Sequence, residues 1–332
     1  MKHYCTYFDT HYMLRGLTLY RSLQKHAGDF TLWVLCCDDL TFENLCKLDL
    51  PNLRPVRLSE IEAFEPRLAT AKSNRTHVEY LWTLSPIWPL FLFERDPSID
   101  FLTYLDADLF FYSSPQPLFD EMGADSIAMF AHRYPETLRY MEVNGIYNVG
   151  WLSFRRDENA LGCLHEWREQ CLDWCYDCCE DGKYGDQSYL NDWQRDHKGV
   201  HVLEHEGAGV APWNWISYKF SQRRNARGDD QIYSNDAPLI FFHFHGLRFL
   251  NGWLYDAFYS SYHLGEMSSK LRRQIFGPYL RSMIQTTHWA RGKGCRIEWG
   301  HIGFKRYMND YGKRLLINKV TRRGFAFHAG LK

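Results

Sequence analysis

Apolar residues along this chain switch repeatedly between continuous runs and helix-spaced stripes. Residues 3–9 and 30–38 are nearly unbroken apolar runs, the second reading Phe-Thr-Leu-Trp-Val-Leu-Cys-Cys-Asp. Apolar positions spaced three and four apart follow each run, over 11–26 and from about Phe42. A third short run near Val56 precedes a helical 60–64. Unbroken apolar strands alternating with helices predict a mostly parallel sheet covered on both faces, an α/β fold. Residues 74–83 read as a helix, and Ser85-Pro86 as the cap and first turn of another reaching Glu94. The pattern then predicts a strand over 101–111, strands near 126–131 and 148–154, a long helix over 158–179 and a last buried strand over 238–244. That last strand opens on Pro238, a position where a strand tolerates proline.

Beyond Phe249 the pattern becomes helical and increasingly basic, which predicts a catalytic-sized domain over 1–250 and an extension over 251–332. Of the 39 Lys and Arg and the 40 Asp and Glu, residues 269–332 hold 15 and two, leaving 24 and 38 for the rest. A cationic tail on an acidic body predicts an anionic partner such as a phospholipid surface. Leu271, Ile275, Phe276, Tyr279, Leu280 and Ile284, interleaved with Lys270, Arg272, Arg273 and Arg281, fit an amphipathic helix on such a surface. They fit equally a helix packed on the preceding domain with a solvated basic face. No apolar run approaches the length of a transmembrane helix and none resembles a leader peptide, so a cytoplasmic protein, peripheral on the inner face of a membrane, is expected. The ten cysteines include adjacent pairs with no small scaffold to staple, which predicts reduced thiols. Cys171, Cys175 and Cys178 share a helical spacing but lack a second C-x-x-C pair, so they read as thiols lining a helix face rather than zinc ligands.

Chemistry enters with the segment Phe101-Leu-Thr-Tyr-Leu-Asp106-Ala107-Asp108-Leu-Phe-Phe111. Two aspartates separated by one residue at the end of an apolar strand point the same way if the strand stays extended. They fall where open α/β sheets bind ligands, beyond the carboxyl ends of the strands. Two buried, unpaired carboxylates are costly, so a cation between them is expected. Oxygen ligands suit Mg²⁺ or Mn²⁺, which would also bridge the phosphates of a nucleotide.

With four further segments in matching order, the chain resembles the GT-A-fold nucleotide-sugar glycosyltransferases. The likeness is to the retaining set that includes glycogenin and bacterial lipopolysaccharide galactosyl- and glucosyltransferases, over roughly residues 3–250. Tyr7-Phe8-Asp9-Thr-His-Tyr12, then Gly16 to Leu23, resembles the opening strand, turn and helix of that family. The resemblance implies donor contacts from Phe8, Asp9 and Tyr12, with Tyr12 stacking on uracil; plain turn chemistry is the alternative. Asn148-Val-Gly150 resembles an Asn-x-Gly strand, in which Asn148 would bond donor sugar or acceptor. Asp186-Gln187-Ser-Tyr-Leu-Asn resembles an Asp-Gln-x-x-Leu-Asn segment that faces the anomeric carbon, although Asp186 also suits a helix cap. His243-Phe-His245-Gly246 resembles the His-aromatic-x-Gly motif, whose first histidine implies His243 as third metal ligand and His245 as its substitute. The family follows this glycine with x-x-Lys-Pro-Trp, whose lysine holds the diphosphate; this chain has Gly246-Leu-Arg248, with a guanidinium one position early. Two other stretches are similar to a bacterial branch and imply phosphate contact by Arg75, which precedes Thr83 on a helix, and acceptor or sugar contact by Asn214; a surface salt bridge and an ordinary turn are the respective alternatives.

The function implied is metal-dependent transfer of a hexose from a UDP-linked donor to a glycan or lipid-linked acceptor, with retention. No carboxylate is identified as a nucleophile. A sugar-1-phosphate nucleotidyltransferase would carry a glycine-rich basic loop after the first strand, where this chain has Phe8-Asp-Thr-His-Tyr-Met-Leu-Arg15. A catalytically silent glycan-binding or scaffold protein would not need Asp106, Asp108 and His243 together. Sugar, acceptor and oligomeric state are not legible.

Overall fold

A computed structural model describes residues 1–225, 228–249, 254–257, 262, 264–265, 267–300 and 325–327. Much of the predicted basic extension, including 301–324, lies outside the described residues. The chain forms two compact units that interleave along the sequence. One is built from Met1–Phe8, Ala27–Asp106 and Pro115–His205, the other from Asp9–His26, Ala107–Ser114 and the described part of Glu206–Lys332.

The first unit is a seven-stranded sheet flanked by helices. Its strands are β1 (Lys2–Phe8), β2 (Phe30–Cys36), β3 (Leu53–Arg57), β4 (Phe101–Leu105), β6 (Ile127–Ala131), β7 (Tyr147–Arg155) and β8 (Val200–Val202); β5 (Leu109–Phe111) belongs to the second unit. The order is β3-β2-β1-β4-β7-β6-β8. The pairs β1–β2, β2–β3, β1–β4 and β6–β8 are parallel, while β7 runs antiparallel between β4 and β6. The mostly parallel α/β architecture is thus the one the apolar runs predict, because strands such as β2 are buried along nearly their whole length. Strand order reverses between β1 and β4, so their carboxyl ends flank the crevice where such sheets take ligands.

The helices of this unit are α2 (Asp39–Leu48), α3 (Leu58–Phe64), α4 (Leu68–Asn74), α5 (His77–Arg95), α6 (Gln116–Met122), α7 (Glu158–Asp173) and α8 (Trp193–Asp196); α1 (Met13–His26) lies in the second unit. Caps are written locally: Asp38 accepts from the Thr41 amide at 2.7 Å, and Asp157 from the Ala160 amide at 2.9 Å. Thr76 and Glu79 form a capping box that starts α5. The break expected at Ser85-Pro86 does not occur. Helix α5 runs through Pro86 and Pro89, and every residue from Thr83 to Leu90 is buried. Tertiary packing on all sides of this stretch outweighs the missing N–H donors, a cost of about 3 kcal/mol per interior proline. Helix α7 is shorter than predicted, ending at Asp173, with Cys171 and Cys175 buried and Cys178 exposed beyond it. The three thiols therefore do not share one helix face.

The second unit holds α1, α9 (Ser269–Gly292) and short antiparallel pairings. Strands β9 (Phe220–Arg224), β10 (Asp230–Ser234) and β11 (Ala237–Pro238) form one sheet, and β12 (Phe241–His243) pairs with β5. The single strand expected over 238–244 is therefore two strands in two sheets. Strands β13 (Arg248–Phe249), β14 (Leu254–Asp256) and β15 (Phe325–Phe327) form a third. The apolar stripe of α9 is buried inside this unit: Tyr279 stacks on Phe244 with centroids 3.9 Å apart, and Phe276 packs edge-on against Phe242 at 5.9 Å. Of the two readings of that stripe, packing describes what its apolar face does here. Among the described residues no helix is long and apolar enough to cross a membrane.

Candidate metal and donor-sugar site

The predicted strand over 101–111 breaks at its aspartates. Strand β4 ends at Leu105, Asp106 to Asp108 form a turn, and β5 leaves to pair with β12. The carboxylates are therefore aimed by a turn rather than by strand alternation. Asp106 is held from the first unit, where its amide donates to the Gly150 carbonyl at 3.0 Å and its Oδ1 accepts from the Tyr104 hydroxyl at 2.9 Å.

Asp108 is placed by strand register in the second unit. His243 sits opposite Leu109, and the Phe244 amide donates to the Asp108 carbonyl at 2.9 Å. This pairing sets His243 Nε2 3.1 Å from Asp108 Oδ1, with both side chains buried. Burial by itself pushes the Asp108 carboxyl up; the charges of His243, His245 and Arg15 more than reverse this and bring it to about 2. One ligand atom from each of Asp106, Asp108 and His243 lies within 4.8 Å of the others. Adjacent ligands on an octahedral ion with bonds near 2.1 Å stand about 3 Å apart, so the 3.1 Å separation and the O,O,N donor set fit Mn²⁺ or Mg²⁺.

Trp213 and Arg15 complete the surroundings of this pair, and neither was legible as a site residue. The buried indole of Trp213 meets His243 and His245 edge-on, at 5.2 and 5.4 Å. Arg15 is buried, donates to the Leu247 carbonyl at 2.8 Å and lies over the exposed ring of Tyr12 at 4.5 Å. Only the glycine-rich loop around Trp213 and a lone cation within the helical pattern of α1 hinted at them. Gly246 adopts φ of 68°, a left-handed turn conformation that disfavours a side chain, and Arg248 opens β13.

In the first unit, Asp186 is buried and accepts from the Ser85 hydroxyl at 2.7 Å, while Ser85 also meets the Tyr7 hydroxyl at 3.2 Å. Burial, together with the charge of Asp106 and against the Ser85 bond, raises Asp186 to about 7. Tyr7, Ser85 and Tyr104 were not identified as site residues, since hydroxyls in apolar stretches carry no spacing signal. Gln187 donates to the Asn144 carbonyl at 2.7 Å. The Asn148 side chain accepts from the Gly150 amide at 2.9 Å and lies 3.2 Å from His132 Nε2. Asn148 and Asp106 thus meet opposite sides of Gly150's backbone.

The remaining predicted residues are held within their own units. Phe8 is buried at the end of β1, and Asp9 accepts from the Tyr12 amide at 3.0 Å. The Arg75 guanidinium donates to the Thr83 hydroxyl and to the carbonyls of Cys171 and Leu172 at 2.7 and 2.8 Å. Asn214 is buried and closes its own loop through the Gly209 carbonyl and the Ala211 amide.

No family model matches this chain. It is 33% identical over 247 residues to the uncharacterized protein YfnD of Bacillus subtilis, covering 74% of this chain and 77% of the relative. It is 30% identical over 256 residues to the uncharacterized YfnF of the same organism, covering 75% and 82%. Among solved structures it is similar to the galactosyltransferase LgtC, captured with donor and acceptor sugar analogues, at a TM-score of 0.50 and 16% identity. That match covers 88% of this chain and 99% of LgtC. The fold is thus of the GT-A glycosyltransferase type. The chain belongs to the family of YfnD and YfnF.

Proposed function

We propose that this member of the YfnD and YfnF family is a glycosyltransferase that moves a hexose from a nucleoside-diphosphate donor, UDP-linked, to a glycan or lipid-linked acceptor. The observation that carries the reading is the cluster of Asp106, Asp108 and His243 at the end of β4, where the order of the sheet reverses. The LgtC-type fold supports it. In this reading the three side chains hold Mn²⁺ or Mg²⁺, with the imidazole favouring Mn²⁺. When bound, the ion neutralises charge on the departing diphosphate.

The chain's own groups divide the other tasks. Phe8, Asp9 and Tyr12 are assigned to the nucleoside, and Arg248, with the turn at Gly246, to the diphosphate. Asn148, Asp186 and Gln187 are assigned to the transferred sugar and acceptor. With its carboxyl raised to about 7, mainly by burial, Asp186 is assigned the exchange of a proton near neutrality. The resemblance carries retention of anomeric configuration, and no nucleophile is assigned. The basic segment 269–332 is assigned to an anionic membrane surface.

Hydrolysis and transfer assays with UDP-glucose and UDP-galactose test the reading. Activity should require Mn²⁺ or Mg²⁺, vanish in EDTA, and fall by about 100-fold or more in Asp106→Asn and Asp108→Asn, the loss of several kcal/mol of charge stabilisation. Undiminished activity in either variant overturns the metal assignment.

A further inference from the structure

A second concave site lies within the second unit and shares no residue with the cluster around Asp108. A cavity of about 730 Å³ is walled by α1 and α9, with β5 and the β9–β10 hairpin contributing the remainder. Arg21 and Lys25 face it from α1; Lys270, Arg273 and Arg281 face it from α9. Their spacing, four residues on α1 and three then eight on α9, puts each set on one helical face. Among the described lining residues Asp230 is the one acid.

These cations differ from four arginines elsewhere on the surface. Arg57, Arg67, Arg95 and Arg195 each meet a carboxylate at 2.5–2.7 Å. Among the described residues, no ion pair joins any of the five cavity cations to an acid, Asp230 included. Arg281 lies close enough to the Tyr112 phenol for its charge to oppose the rise that burial causes there. Arg21 contacts neutral partners instead, donating to Thr286 at 3.3 Å with its guanidinium 5.9 Å from the Trp289 ring. Five like charges around one concavity repel each other and focus a positive field inside it. Side-chain donors for an oxyanion stand between them: Ser282 and the amides of Gln231 and Gln285. The floor is apolar, with Phe110 and Ile232.

We infer that this cavity binds a phosphate-bearing anion carrying at least two negative charges. Guanidinium forks and the Lys25 and Lys270 ammonium groups match clustered phosphate oxygens through charge-assisted hydrogen bonds. The same chemistry comes from a free phosphorylated compound or from a phospholipid headgroup, and the test separates the two.

Titration calorimetry with inorganic pyrophosphate in EDTA, which removes divalent ions from the Asp108 region, measures the free-anion arm. Co-sedimentation with phosphatidylcholine vesicles containing one quarter phosphatidic acid, whose phosphomonoester headgroup can carry two negative charges, measures the headgroup arm. Arg273→Gln with Arg281→Gln alters one wall, and Lys25→Gln the other; all three residues are exposed and none is among those assigned to donor binding. Pyrophosphate binding that falls about tenfold or more in both variants assigns the cavity to a free phosphate compound. Vesicle binding that falls by as much, with no pyrophosphate binding, assigns it to a headgroup. Equal binding by wild type and variants, or no binding of either probe, overturns the inference.

Discussion

Asp108 and Asp186 are both buried aspartates, yet their environments move them in opposite directions. Asp108 has an imidazole at 3.1 Å and a guanidinium nearby, and stays ionised down to about 2. Asp186 has a serine hydroxyl at 2.7 Å and the charge of Asp106 nearby, and rises to about 7. Burial penalises the charged form in both. At Asp108 the imidazole and guanidinium more than offset burial; at Asp186 only the Ser85 bond opposes it and Asp106 adds to it, so neighbouring cations rather than depth decide which carboxyl is ready to hold a metal ion.

The most disruptive test removes the imidazole from the first of the two. In His243→Ala, metal-free, Asp108 becomes a buried carboxylate deprived of its imidazole, and the fold should lose about 3–5 kcal/mol in urea unfolding. The pH dependence should also change sign. In the wild type, Asp108 is depressed below its ordinary value, so its contribution is present above about pH 4 and is lost as pH falls toward 2. In the variant its carboxyl rises, and stability should instead be lost as pH increases.

Asp186 already behaves in that second way. Its raised value means that its contribution is fully present below the unfolded value of about 4 and is lost as pH climbs through about 7. At about 1.4 kcal/mol per unit the whole effect is at most about 4 kcal/mol. Melting temperatures of wild type and Asp186→Asn in EDTA, from pH 5 to 8.5, should diverge with the wild type falling faster; parallel curves would refute the shift. A smaller effect should follow Ser85→Ala. It removes the hydroxyl that favours the ionised form, so the pH midpoint of that fall should move upward, with a stability change of about 1 kcal/mol.

The smallest effect should come from Tyr104→Phe. Losing the bond to Asp106 leaves the carboxylate in place but less well oriented, and Mn²⁺ affinity should fall by about tenfold or less. Isothermal titration of Mn²⁺ checks this, and an unchanged affinity would separate Tyr104 from the metal cluster.

Much of this contrast was visible in one dimension and much was not. Strands β1 and β2, helix α1 and the Asp106–Asp108 pair stand out, because each is carried by a short apolar run or by spacing within a few residues, whereas His243 stands out only through its resemblance to a family motif. The partners that give the two aspartates their character are far away in the chain. Ser85 reaches Asp186 across 101 positions, and β12 meets β5 across more than a hundred. Spacing rules hold only within one helix or strand, so they cannot register such pairs. Local signals also lost where packing was stronger, as in α5, where two prolines lie inside a buried helix.

The amino-acid sequence alone determined the alternation of strands and helices, the location of a carboxylate pair at a strand end, and the basic character of the last sixty residues. Tertiary structure decided what those features became. It broke the strand over 101–111 into β4, a turn and β5, and paired β5 with β12 so that an imidazole stands beside Asp108. It also buried the apolar stripe of α9, leaving its cations to line a cavity with those of α1. Hydrophobic periodicity is a property of neighbours in sequence, whereas the charge a buried carboxyl carries depends on which distant groups the fold brings within a few ångströms.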